Sequence, residues 1–424
     1  MRVLLSHQNF PGQFKHLAPE LLRRGHEVTA LHRPGRPPLH GVRSIAFEPP
    51  RKVSDKTHRY LRIVEAAVLQ GQATARLALA LRNQGYRPNV IASHAGWGES
   101  LFLNDVFEEA PHLGYFEFFY HAKRSDVDFD HTAQPQLDDQ TRLKVKNATH
   151  LMSFESVTWG VSPTVWQKSQ LPPTAQPRVS VLHEGVDCEV NAPDPGASVR
   201  LPSGTILRAG DPVVTYVARY LEPYRGFPSF MAAMAEVLAR NPDAHVLVVG
   251  EEQGGYGRSA QGAQSHKAKV LAGLDIDAER IHFMGRVPYD LFTRILQISA
   301  AHVYLTYPFV LSWSMLEAMA AGCLLIGSDT APVTEVVEDG VNGLLVDFHK
   351  PNDIAARVLD ALDRPDAFAQ VRKNARATVL ERYDCRNLVV TAADMLERMA
   401  GGEVPPPQPV YARPPATGWR PNSG

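Results

Sequence analysis

Short runs of β-branched and other apolar residues alternate along the chain with longer stretches whose apolar positions recur every three or four residues. In the first half, residues 2–6 predict a strand and 14–24 a helix with Leu17, Leu21 and Leu22 on one face. Gly25 stands where a left-handed C-cap would end that helix. Strands follow at 27–32 and 42–47, then a long helix at 58–83, strands at 90–93 and 114–118, a helix near 138–154 and a strand at 179–182. Residues 192–196, Ala-Pro-Asp-Pro-Gly, read as a linker. Beyond it the alternation restarts, with strands at 213–218, 244–249, 280–284, 301–305 and 323–327. Helices are predicted between and after them at 227–240, 288–297, 315–321, 353–362 and 367–381. The pattern predicts an α/β chain of two Rossmann-like, doubly wound domains facing across a cleft, residues 1–190 and 198–385. A helix at 386–400 is expected to cross back to the first domain, and the proline-rich 401–424 to form a disordered tail.

Composition narrows the class. A hydrophobic fraction of 44% with 21% charged residues, over 424 residues, fits a globular chain of two domains. Cys188, Cys323 and Cys385 lie far apart with no CxxC pair, which excludes a disulfide scaffold and fits a reducing compartment. The first apolar run, Val3-Leu4-Leu5, stops at Ser6 and is too short for a signal peptide, and no run reaches membrane-span length. A cytoplasmic location is expected. Residues 1–60 hold eleven cations against four carboxylates, a net +7 within a chain of net −1. That segment is either a solvated face or an attraction for an anionic acceptor or the inner membrane surface. No recognition motif accompanies the charge, so nucleic acid is not expected.

No GxGxxG follows a strand at the right distance: Gly250–Gly255 has the wrong spacing, and the run 255–260 starts too late. There is no Walker A loop either, so dinucleotide dehydrogenases and P-loop kinases are disfavoured. Asp126-Val127-Asp128 looks like a metal-binding DxD but lacks its usual context and reads as a polar loop. No metal or other cofactor is expected.

The richest stretch runs from Tyr304 to Gly322. A strand ends at Pro308, a loop follows, and a helix opens with small polar residues, whose free N–H groups and dipole suit a phosphate. Glu317 reads either as a carboxylate that accepts ribose hydroxyl protons or as the last member of a capping box begun by Ser314.

This stretch resembles the donor loop and helix of the family-four retaining glycosyltransferases, whose GT-B fold pairs two Rossmann domains. Their pattern is Glu-x7-Glu followed by Ala-Met-Ala-x-Gly, and Ala318-Met319-Ala320-Ala321-Gly322 matches its end. Arg219 with Arg225-Gly226 resembles the family's diphosphate clamp, and 283–287, ending in Arg286 and Val287, the turn whose backbone holds the base. Residues 184–187, Glu-Gly-Val-Asp, resemble the interdomain crossover, and 332–337 with 340–346 the usual continuation. The resemblance implies that Glu317 binds the donor ribose. It implies that Arg219, Arg225 and the backbone of Ser312, Trp313 and Ser314 bind the diphosphate without metal. Arg225 has the alternative of a surface pair with Glu222. The chain departs from the family at Phe309, where the first glutamate should stand, and at Val310 and Ser312, where glycines should.

In the first half, Gly12 and Gln13 occupy the family's glycine-containing loop near the donor phosphate. His94 ends a strand that should face the ligand crevice, and Glu117 stands among aromatics near another strand end. Both are candidate catalytic groups; Glu117 otherwise reads as a paired, buried carboxylate, and His94 as a structural histidine. The expected activity is retaining transfer of a sugar from a nucleoside diphosphate sugar to an acceptor, in glycan, glycolipid or glycoconjugate synthesis. The alternatives are a nucleotide-sugar epimerase of the same architecture and an inactive nucleotide-sugar-binding protein.

Overall fold

The computed structural model describes residues 1–130, 136–255 and 265–405. The chain forms two compact units, the first Met1–Gly185 with the segment that begins at Cys385, the second Val186–Asp384.

The first unit runs β1 (Arg2–Ser6), α1 (Leu17–Arg23), β2 (Glu27–His32), β3 (Arg43–Ala46), α2 (Arg62–Asn83), β4 (Val90–His94), α3 (Leu103–Val106) and β5 (His112–Tyr115). It continues through α4 (Leu137–Lys146), α5 (Ala148–Ser156), β6 (Trp159–Ser162), α6 (Val165–Ser169) and β7 (Val179–Val181). Its seven strands are parallel in the order β3-β2-β1-β4-β5-β6-β7. Parallel strands are covered on both faces, which is why β1 and β4 are apolar runs rather than alternations. Leu4 and Ile91 pack on one side with Leu81 and Phe107. Val3, Leu5 and Ala92 pack on the other with Leu17, Leu21, Leu388 and Leu396.

The second unit begins with an antiparallel hairpin, β8 (Ser198–Arg200) and β9 (Ile206–Arg208). It proceeds through β10 (Val213–Tyr220), α7 (Phe227–Arg240), β11 (His245–Glu251), α8 (His266–Leu271), β12 (Ile281–Gly285), α9 (Tyr289–Gln297), β13 (Ala301–Tyr304) and α10 (Trp313–Ala320). It closes with β14 (Leu325–Ser328), α11 (Ala331–Thr334), β15 (Leu344–Val346), α12 (Pro351–Asp363) and α13 (Ala369–Arg382). Its parallel sheet has the order β12-β11-β10-β13-β14-β15. The last helix, α14 (Cys385–Ala400), belongs to the first unit. Arg24 fastens it there, pairing with Glu20 of α1 at 2.8 Å and with Asp394 and Glu397 of α14 at 2.6 and 3.0 Å.

Several elements differ from the sequence expectation for local reasons. The helix near 138–154 is two helices broken at Asn147, whose side-chain amide bonds both the N–H and the carbonyl of Tyr120 at 3.0 and 2.8 Å. Strand β5 stops at Tyr115, so Glu117 lies beyond it rather than inside a strand reaching 118. Strand β6 escaped notice because it is four residues long and contains Gly160, where a Cβ would lie 2.8 Å from Val179. Residues 406–424, most of the expected tail, and 256–260 of the run at 255 lie outside the described residues. Among the described residues no helix is long and apolar enough to cross a membrane.

Candidate functional site

In open doubly wound sheets, ligands bind beyond the carboxyl ends of the strands where the strand order reverses. In the second unit that point lies between β10 and β13. After β10 the chain makes a single tight turn, Pro223–Arg225, and reaches Gly226 at φ +68°. A Cβ there would lie 2.4 Å from Leu305 Cβ, so only glycine lets this turn close onto the end of β13. The approach buries Arg225 against the loop that follows β13. One guanidinium nitrogen donates to Thr306 Oγ1 at 2.8 Å, to the Tyr304 hydroxyl at 3.1 Å and to the Val310 carbonyl at 3.1 Å. The Tyr216 hydroxyl donates to the Arg225 carbonyl at 2.7 Å. The loop is then tied to α10: Ser312 N–H donates to the Tyr304 hydroxyl at 2.9 Å, and Ser312 Oγ accepts from Ser314 N–H at 3.4 Å. Further along α10, buried Glu317 accepts a hydrogen bond from the Tyr289 hydroxyl at 2.8 Å. Asn191 Nδ2 donates to the same hydroxyl at 2.9 Å. Burial and the adjacent Glu317 carboxylate push the Tyr289 phenol well above its ordinary pKa.

In the first unit the strand order reverses between β1 and β4. His7 lies just past β1, and His94 is the last residue of β4. Their tautomers follow from the backbone. His7 Nδ1 accepts from Asn9 N–H at 2.9 Å and His94 Nδ1 from Gly96 N–H at 3.1 Å, so Nε2 carries the proton in each neutral ring. His7 Nε2 donates to Gln13 Oε1 at 2.5 Å, and Gln13 Nε2 donates to Glu117 Oε1 at 3.2 Å. His94 Nε2 faces Glu117 Oε2 at 3.5 Å. Two imidazoles and an amide therefore aim N–H groups along one path that ends on a single carboxylate. Burial and the nearby His94 hold the His7 pKa down to about 3, which keeps that ring neutral. Gly12 sits at φ +45°, where a Cβ would lie 2.4 Å from the His7 ring. Trp97 stacks on His94 with centroids 3.8 Å apart, and the Gln167 side chain bonds the Glu117 carbonyl. Beside this cluster lies a cavity of about 280 Å³.

Residues 24–190 match the family model described as the glycosyl transferase family 4 group, and 203–378 match glycosyl transferases group 1. The chain belongs to the family-four glycosyltransferases. The D-inositol 3-phosphate glycosyltransferase of Nocardia farcinica (strain IFM 10152) is 28% identical over 181 residues, 42% of this chain and 38% of that protein. The chain matches between about two fifths and one half of the length of its first curated relatives. Sucrose-phosphate synthase from Thermosynechococcus elongatus superposes with a TM-score of 0.71 at 17% identity, covering 95% of this chain and 100% of its own. Anabaena HepE in complex with UDP-glucose gives 0.65 at 14%, covering 95% and 100%. The architecture is GT-B.

Within this family fold, two sequence expectations need correction. Arg225 and Glu222 do not lie on the surface; both residues are buried, because the Gly226 turn closes on β13. Ser314 and Glu317 form no capping box: α10 starts one residue earlier, Ser312 is its cap, and Glu317 turns to Tyr289. The N–H groups of Ser312 and Ser314, expected on a phosphate, are engaged within the protein; Trp313 opens the helix between them. Arg219 is exposed at the end of β10, its guanidinium 5.3 Å from the Tyr220 ring. Arg286 is exposed just past β12, 3.6 Å from Glu251, with half-buried Val287 next to it. Asp128 accepts from the N–H groups of Arg124 and Ser125 at 2.7 and 2.9 Å, which makes it a loop staple. No group of three or more His, Cys, Asp or Glu side chains among the described residues is placed to hold a metal ion.

His7, Trp97 and Tyr289 were missed. The argument that singled out His94, a histidine at a strand's carboxyl end, applies equally to His7. Nothing local marks Tyr289, which is 28 residues from Glu317.

Proposed function

We propose that the protein is a retaining glycosyltransferase that moves a sugar from a nucleoside diphosphate sugar to an acceptor without a bound metal. The observation that supports it best is the buried Arg225, held by three hydrogen bonds on the loop that leads into the Glu317 helix. A cation fixed this way cannot relax when charge arrives, so it stabilises a leaving diphosphate without reorganisation. Arg219 adds a second cation at the same strand end, and Glu317 accepts the ribose hydroxyls. Phe309 provides no carboxylate for the donor sugar. Glu117, aligned by Gln13 and His94, takes that part as sugar and acceptor come together. Retention proceeds by front-face attack, with the departing phosphate accepting the acceptor's proton. The N. farcinica relative is named a glycosyltransferase, and UDP-glucose bound to a protein of the same fold supports a nucleotide-sugar donor.

The test is turnover with a panel of UDP- and GDP-sugars and acceptors in excess chelator, with the product anomer read by NMR. Acceptor-dependent release of the nucleoside diphosphate and a retained anomeric configuration are expected. An inverted product, or deuterium entering the donor sugar from solvent without acceptor, would overturn the reading.

A further inference from the structure

A second cavity lies wholly within the first unit and shares no lining residue with the one beside His94. The sheet forms one side of it, at Ala92 of β4, Leu113 of β5 and Val161 of β6, and α14 another, at Leu388, Val389 and Ala392. Ala92 and Ala392 bring one methyl group each, too little bulk to close the gap at the packing density of the surrounding core. The volume is about 60 Å³, room for roughly four to six water-sized groups at about 10–15 Å³ each. That suits a short alkyl chain with one polar atom. It is too small for a hexose or a nucleotide.

One group in this largely apolar wall is left half-satisfied. The Glu184 side chain follows β7, is 6% exposed and lines the cavity. Its Oε1 accepts from the Tyr115 hydroxyl, whereas Oε2 is buried with no hydrogen-bond partner among the described residues. The adjacent His183 cannot supply the missing proton. Its Nδ1 lies 3.5 Å from Oε2 but already accepts from the Gly185 N–H at 2.9 Å, so two acceptors face each other. Burial lowers the His183 pKa and keeps the ring neutral. Lys15 adds to that effect but is not among the residues lining the cavity. Of the other polar side chains in the wall, Ser93 is bonded to His112 at 2.6 Å and Gln13 joins His7 to Glu117. Buried polar atoms rarely stay unpartnered, and in a medium of low polarity a carboxylate gains most from a cation.

We propose that this cavity binds a small alkylammonium ion, its N–H groups on Glu184 Oε2 and its chain along the apolar wall. A neutral hydroxyl supplies one donor and leaves the charge unmatched; a carboxylate meets like charge. Because Gln13 lines the same space, the occupant lies against the side chain that links His7 to Glu117. The site stands apart from the donor and acceptor assignments and does not depend on them.

The test is a ligand-observed NMR titration of the full chain at pH 7.5 with three probes of one shape: n-butylamine, n-butanol and butyrate. The amine should bind wild type at least about tenfold more tightly than butyrate, the scale of one charge-assisted contact. Glu184→Gln keeps the shape and removes the charge, and should bring the amine level with the alcohol. Ala392→Phe puts a ring into the space and should abolish binding of the amine. Val389→Trp does the same from one turn earlier on α14, and thermal melts show which of the two filling variants is folded. Butyrate binding as tightly as the amine overturns the proposal, as does an advantage over the alcohol that survives Glu184→Gln. Amine binding that persists in a folded filling variant also overturns it, and so does the absence of saturable binding to wild type, which would leave the space to water. The comparison of the three probes in wild type needs no variant.

Discussion

The Tyr289 hydroxyl, at the start of α9, donates to Glu317 Oε1 on α10, and Asn191 Nδ2 donates to that hydroxyl in turn. The carboxylate that we propose binds a ribose is thereby oriented before any ligand arrives. Tyr289→Phe removes one hydrogen bond to a charged acceptor, worth roughly 1.5–3 kcal/mol, from a ring that is 48% exposed. Stability should change little, while affinity for a nucleoside diphosphate falls about threefold to tenfold. A 2′,3′-dideoxy nucleoside diphosphate should be nearly insensitive to the same substitution. Equal losses for the two ligands would separate Tyr289 and Glu317 from the ribose.

The two arginines proposed for the diphosphate should behave differently. Arg219 is exposed, so Arg219→Ala should leave the melting temperature unchanged and lower kcat/KM by about one to two decades. Arg225 satisfies three acceptors around a buried loop, and Arg225→Ala strands them. It should cost about 3 kcal/mol of stability as well as activity. Thermal melts of the two variants side by side check this; equal melting temperatures would contradict the buried role of Arg225.

Glu117→Gln keeps the shape of the side chain and removes its charge. A fall in kcat of at least about tenfold, about 1.4 kcal/mol, is expected, with donor binding little changed. Gly12→Ala should produce a similar fall indirectly, because its Cβ would push His7 away and release Gln13 from Glu117. Steady-state kinetics with the preferred acceptor measures both. A fully active Glu117→Gln enzyme would make Glu117 structural.

Much of the fold was legible in the sequence because parallel strands are self-contained apolar runs, and the segment proposed for the donor is contiguous, from Tyr304 through Glu317. What was not legible depends on distant partners. The +7 of residues 1–60 counted Arg51 and Arg59 as free charge, but they pair with Glu65 and Asp138, and Arg24 reaches Asp394 and Glu397. The role of Gln13 as the link between His7 and Glu117 spans 104 residues, and no local pattern encodes it. The Asn147 break was hidden for the same reason, since a helix-compatible sequence was interrupted by a bond to Tyr120.

Acid should destabilise the protein earlier than its carboxylates alone would. Burial lowers His7, His112, His150 and His302 from 6.5 to about 3. Above about pH 7.5 these rings are neutral in both folded and unfolded chains and contribute almost no pH dependence. Between 6.5 and 3 only the unfolded chain takes up the protons, so stability falls as pH drops, by up to about 1.4 kcal/mol per pH unit for each ring. Urea midpoints at pH 8.5, 7.5, 6.5, 5.5 and 4.5 should be nearly flat over the first step, begin to fall by pH 6.5 and decline steeply thereafter. A flat profile down to pH 4.5 would mean these histidines are accessible in the native protein.

The most direct test of the donor assignment is calorimetric titration of UDP- and GDP-sugars into wild-type protein and Arg219→Ala, with excess EDTA throughout. One nucleotide sugar should bind wild type without metal, and Arg219→Ala should bind it about ten to a hundred times more weakly, as expected for losing a charge-assisted contact to phosphate. Binding only after a divalent cation is restored, or equal affinity in the two proteins, would contradict a metal-independent arginine clamp.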